Sequence, residues 1–179
     1  MTGTTANNSW PYPESSDFVA DGATAIENLA DAIDADVGDV DDLPRGLLGF
    51  STAFGNYTAT TSGDDITSVT FTVPAGRRIM LQGNVPAFNQ ATTTLTVSLI
   101  IADEAAATPP TTYYNRSLLV LSSGENIGTT VTAITDVFGA GTHTVYLIGI
   151  TNTGTAVADG NAGAFARANT LAVYDVGAS

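Results

Sequence analysis

The side chains in this sequence that could do chemistry are few. His143 is its only histidine, in the run GTHTV, and carboxylates stand side by side at Asp64-Asp65 and Asp103-Glu104. A histidine working as a general base needs a nucleophile and an orienting carboxylate within reach. The sequence holds no cysteine and no GxSxG elbow, and threonine flanks His143 on both sides, which suits a structural or surface role. A histidine–carboxylate metal site would have to recruit acids distant in sequence, and no ligand spacing marks one. The two carboxylate pairs are the raw material of a glycosidase, whose acid and base are set apart by the fold. Both pairs fall in turn material, Asp64-Asp65 after Ser62-Gly63 and Asp103-Glu104 at the head of an alanine-rich connection. Glycan cleavage therefore stands as the lesser alternative, and no catalytic residue, metal or cofactor is expected.

Binding chemistry is better represented. Tyr113, Tyr114, Asn115 and Arg116 bring together aromatic faces, an amide and a guanidinium, the groups that stack on apolar sugar faces and orient hydroxyls. Alternation along a strand would turn one of the two tyrosines inward, leaving core plus rim as the competing reading. Arg77 and Arg78 follow the turn Pro74-Ala75-Gly76, so one should face in and the other out. The inward guanidinium needs an acid, which predicts an inter-strand or inter-subunit salt bridge.

Charge separates the chain into two regions. Its five basic residues are all arginine, against eighteen acids, for a net charge of −13. Ten of those acids lie between Glu14 and Asp42, where no base occurs, so residues 1–42 carry −10 and the remainder, eight acids against five arginines, only −3. With no basic face to neutralise phosphates, nucleic acid is not an expected partner. No apolar run reaches the roughly 18 residues needed to span a bilayer. The polar start MTGTTANNSWPYP lacks the basic and apolar regions of a signal peptide, so a soluble, unprocessed chain with no membrane partner is expected. Without cysteine, packing or association must hold the fold.

The elements that position these groups follow from local pattern. In residues 1–16, Trp10-Pro11-Tyr12-Pro13 excludes helix, favours an extended course and offers two large aromatics as anchors. Helical periodicity then runs over 17–37, with Asp17 as N-cap and Gly38 able to end it. Val19, Ile26 and Ile33 are seven apart, Leu29 sits between the last two, and Gly22, Ala23, Ala25 and Ala30 are small neighbours. So acidic a helix is marginal alone. Its partner is either the chain's own β region or copies of itself. The acids Asp34 to Asp42 lack calcium-loop spacing and read as a solvated linker over 38–49, closing on LPRGLLGF. From residue 50 the period changes to two, as in Val69, Phe71 and Val73, in Leu95, Val97 and Leu99, and in Leu171 and Val173. About eight antiparallel strands over 50–179 predict a mainly β fold: a jelly-roll-like β-sandwich preceded by an extended peptide and one short α-helix.

Taken in order, WPYPESSDFVADGATAIENLADAID, LPRGLLGF, VTFTVPAGRRI, GAGTHTVYLIGI and a closing LAVYDVGAS resemble small virion proteins of tailed phages, especially those infecting actinobacteria. The likeness spans nearly the whole chain and is least around 84–125. It implies a proline-aromatic peptide and short helix ahead of a β-sandwich head, trimeric assembly, and a place on the phage particle as a minor tail or fibre protein, or as a head decoration.

Together these readings predict a homotrimer on the virion surface. Trp10, Pro11, Tyr12 and Pro13 dock to other virion proteins, and Val19, Ile26, Leu29 and Ile33 clamp three helices. The head is presented outward, with Tyr113, Tyr114, Asn115 and Arg116 as candidate contacts to host cell-surface glycan.

Overall fold

The computed structural model describes residues 2–4, 11–13, 19–41, 43–89, 94–106, 113–136, 138–160 and 167–178. The chain forms two units, Met1–Leu43 and Pro44–Ser179.

In the first unit, β1 (Thr2–Thr4) pairs antiparallel with β2 (Pro11–Pro13), with Gly3 opposite Tyr12. Prolines at both ends of β2 leave Tyr12 its one amide donor, so the ladder cannot lengthen. Trp10 and the N-cap candidate Asp17 lie outside the described residues, as do the side chains of Pro11, Tyr12, Pro13 and Val19. The helix α1 spans Val19–Asp41 and so runs past the expected end at 37. Gly38 does not stop it, because an internal glycine costs only about 1 kcal/mol. The effective stop is Pro44, which disfavours helical geometry in the residue before it. No basic residue stands in the last turn to offset the helix dipole. Ile26 is 62% exposed and Ile33 37%, while Ala25 is buried.

The second unit is an antiparallel β-sandwich. Its strands are β3 (Gly46–Ala53), β4 (Gly55–Ala59), β5 (Asp64–Val73), β6 (Arg77–Asn89), β7 (Leu95–Ala102), β8 (Asn115–Leu121), β9 (Asn126–Thr135), β10 (Gly141–Thr151), β11 (Ala156–Gly160) and β12 (Asn169–Ala178). The smaller sheet has the order β5-β10-β7-β8. In the larger, β3-β12-β6-β11-β4, strand β9 pairs the other side of β6. The stretch LPRGLLGF, expected as linker, already supplies most of β3. A bulge explains why its period was hidden: Gly49 lies opposite Val173 and Leu47 opposite Tyr174, so Leu48 is the extra residue.

Alternation builds one core from both sheets. Ile79, Leu81, Val85 and Phe88 of β6 and Leu171 and Val173 of β12 meet Leu99 and Ile101 of β7 and Val145 and Leu147 of β10. Side-chain hydrogen bonds join the sheets along both flanks, Ser51 to Thr67 at 2.7 Å and Ser117 to Thr129 at 3.0 Å. The connection after β7 folds over the outer side of the smaller sheet. There Ala106 packs with Ile100, Ala102 and Ile148, and its amide donates to Asp65 Oδ1 at 2.8 Å. The outer apolar residues of β7 and β10 are thus covered by the chain itself, whereas Leu118 and Val120 of the edge strand β8 stay exposed.

Candidate assembly face and recess

The arginine pair divides as strand geometry requires. Arg78 is exposed and Arg77 is buried, its Nε and Nη2 donating to Asp175 Oδ2 and Oδ1, both at 2.9 Å. The pair bridges β6 and β12. Gly177 also donates its amide to Asp175 Oδ1, at 2.9 Å, where the register between the two strands shifts. Burial by itself pushes the Asp175 carboxyl up. The hydrogen bonds from Arg77 and Gly177, with the charges of Arg77 and Arg45, outweigh burial and hold it below its ordinary value.

The tyrosines also split. Tyr113 is exposed, whereas Tyr114 turns toward Phe138, with ring centroids 5.1 Å apart. The Asn115 amide donates to the Thr132 carbonyl and its Oδ1 accepts from the Arg116 amide, so this side chain is occupied within the fold. Arg116 is exposed on β8. Of the four candidate glycan contacts, Tyr114 alone lines a recess of about 340 Å³, together with Asp103, Phe138, Thr142, His143 and Thr144. Burial, and secondarily the charge of Asp103, pushes the Tyr114 phenol up to about 12. His143 Nε2 sits 2.8 Å from the Gly139 carbonyl, a hydrogen bond that requires the proton on Nε2. Its ring stacks at a tilt 5.0 Å from Phe138.

The carboxylate pairs weighed for acid–base work take separate positions. Asp65 is held by the Ala106 amide; burial and then the charge of Asp65 push the neighbouring Asp64 up, and a backbone hydrogen bond only partly offsets them. Asp103 and Glu104 are exposed at the end of β7. Among the described residues, no group of three or more His, Cys, Asp or Glu converges as metal ligands would. No described helix is long and apolar enough to cross a membrane.

A second feature emerges only from strand register. On the outer side of the larger sheet, Leu47, Tyr174, Met80 and Ile134 lie opposite one another across β3, β12, β6 and β9. The next rung is Phe50, Ala172, Gln82 and Thr132, and the one after it Thr52, Thr170, Asn84 and Thr130. Leu47 and Phe50 are each 55% exposed and Ile134 is 63% exposed. None of these three rungs contains an acid, in a chain with eighteen. Alternation marks each residue as outward but says nothing about which strands are neighbours, so this face was beyond sequence reading.

No family model matches the chain, and no curated protein matches it. Among solved structures 17 chains match. One is from the structure of infectious bursal disease virus, Gx strain, at 16% identity and a TM-score of 0.36, covering 77% of this chain. This chain spans 40% of that one. A likeness of that degree defines neither a family nor a function.

Proposed function

We propose that this is a structural protein of a tailed-phage virion, a homotrimeric, tail-associated fibre or minor tail protein that acts by assembly and presentation and not by turnover. The observation that carries the assembly reading is the outer face of the larger sheet, where four strands align Leu47, Tyr174, Met80 and Ile134 beside Phe50. An uncovered apolar band on a water-exposed sheet marks a contact surface. An acidic chain repels its copies, and a face without acids is where that repulsion is least.

The N-terminal unit contributes the attachment. The Pro11-Tyr12-Pro13 strand docks to another virion protein, and the exposed Ile26 and Ile33 of α1 meet their symmetry mates. The virion assignment itself is supported by the order of sequence blocks that resemble actinobacterial phage virion proteins. Threefold association would multiply weak docking contacts without any new chemistry.

Light scattering on the full chain and on a chain beginning at Pro44 tests the assembly. A trimer in both assigns the contact to the sheet face, and a trimer lost on truncation assigns it to the helix. A monomeric full chain refutes the trimer. Cosedimentation with isolated phage tails and with emptied capsids then separates the tail reading from that of a capsid decoration.

A further inference from the structure

We propose that the recess between the end of β7 and the start of β10 is a saccharide-binding site, formed within a single protomer. The recess exists because two neighbouring strands end at different heights. Strand β7 pairs β10 only over Tyr146–Thr151 and stops at Ala102. Strand β10 continues back to Gly141 with β5 beside it. Over Gly141–Val145 the flank toward β7 has no strand against it among the described residues. Backbone donors and acceptors on such a flank are open to a ligand. The chain leaving β7 brings Asp103 to the gap, and the chain entering β8 brings Tyr114, fixed by its amide donating to the Ile101 carbonyl at 2.8 Å.

The lining selects the ligand class. Its aromatic part is continuous: Tyr114 lies 5.1 Å from Phe138, which lies 5.0 Å from His143. Phe138 is buried, so an aromatic face for the C–H side of a sugar ring comes from the half-buried Tyr114 and His143 on either side of it. Its polar part is the Asp103 carboxylate, the Tyr114 phenol and the edge of β10 over Thr142 to Thr144. The Thr142 and Thr144 hydroxyls themselves meet Thr72 at 3.3 Å and Thr70 at 2.9 Å on the face of β10 opposite His143, so these two residues face the recess with the strand edge. A carboxylate in a lining without arginine disfavours anions, and the carboxylate, the phenol and the open strand edge disfavour a wholly apolar guest. What remains is a neutral ligand with several hydroxyl donors and one apolar face. The volume of about 340 Å³ lies at the small end of ligand sites, which run from about 300 to 1,000 Å³, and suits one or two rings.

The site does not depend on the virion reading, and a monomer would carry it as well as a trimer. The test titrates methyl glycosides of glucose, galactose, N-acetylglucosamine and rhamnose into the isotopically labelled full chain, following backbone amides by NMR. At least one glycoside should shift the amides of Thr142, His143 and Thr144, with dissociation constants around 1 mM. Asp103→Asn should weaken that binding about tenfold or more, because a hydrogen bond to a charged group is lost. Tyr114→Phe should weaken it several-fold while leaving the remaining spectrum in place, which excludes misfolding as the cause. No shift of these amides by any of the four glycosides, or shifts that Asp103→Asn leaves unchanged, overturns the proposal. So does calcium shifting the same amides where the glycosides do not, which would make the recess a cation site.

Discussion

Replacing Asp175 by asparagine should unfold the β unit at a much lower temperature. The substitution preserves shape, and the asparagine carbonyl still accepts one of the two bonds that Arg77 donates to Asp175 Oδ1 and Oδ2 at 2.9 Å. What it removes is the charge that compensates a guanidinium 4% exposed. Breaking one side of a buried ion pair costs about 3–5 kcal/mol, mostly because the surviving charge is left desolvated. In a unit of this size each kcal/mol shifts the thermal midpoint by about 4 °C, so the expected fall is about 10–20 °C. Differential scanning calorimetry at neutral pH reads it directly.

The double replacement Arg77→Met with Asp175→Leu separates pair loss from general disturbance. It removes both charges and leaves the Gly177 amide without its acceptor, which costs about 1–3 kcal/mol. It should therefore recover most, but not all, of the single variant's loss. The acid limb offers a second check. The folded Asp175 carboxyl lies below its ordinary value, so beneath about pH 3.9 the unfolded state binds the proton first. Its contribution is complete above that range and is lost as pH falls through the folded value; Asp175→Asn removes this dependence. A midpoint for Asp175→Asn within about 2 °C of the parent, equivalent to roughly 0.5 kcal/mol, would refute the reasoning, as would a double variant as unstable as the two single losses added.

Three further outcomes are expected. Gly128→Ala should destabilise by about 1–3 kcal/mol in urea unfolding, because a β-carbon there would lie 2.5 Å from the Pro86 carbonyl oxygen, backbone that cannot swing aside. With the Tyr114 phenol pushed up to about 12, the unfolded state loses its proton first above about pH 10. Stability should then fall between those values in the parent and less in Tyr114→Phe, as followed by circular dichroism. Ile134→Asp, on a residue 63% exposed, should leave the midpoint nearly unchanged but weaken association by about 2 kcal/mol or more per contact if the sheet face joins copies, as read by sedimentation.

The antiparallel sandwich was legible because most strands alternate cleanly. In β5 the inward Val69, Phe71 and Val73 are buried and the threonines between them exposed, as the sequence pattern alone suggests. Elements that break the period were not legible. Strand β3 hides in LPRGLLGF because its bulge sets Leu48 out of phase. Strand β11, Ala156–Gly160, is five residues of mostly small side chains with no large apolar residue to signal it. The need of Arg77 for an acid could be deduced from its place after a turn. Its partner could not, since Asp175 is 98 positions away and is one of eight acids in residues 43–179 that were equally eligible.

The same limit explains why both candidate surfaces had to come from structure. Periodicity assigns a residue to a face, but a surface is made by neighbours, and neighbours are set by register between strands far apart in the chain. Leu47, Met80, Ile134 and Tyr174 are unremarkable singly; four pairings place them in one line. The recess depends on a subtler quantity, the difference in where β7 and β10 end. Tyr114 could be nominated from its type, but Asp103, Phe138 and His143 become its companions only because one strand stops short of the other. A sandwich can therefore keep its alternating pattern, and hence its core, while small changes in strand length open or close such a gap. Lengthening β7 by two residues that continue its pairing along Thr144 would fill the recess without touching any core side chain.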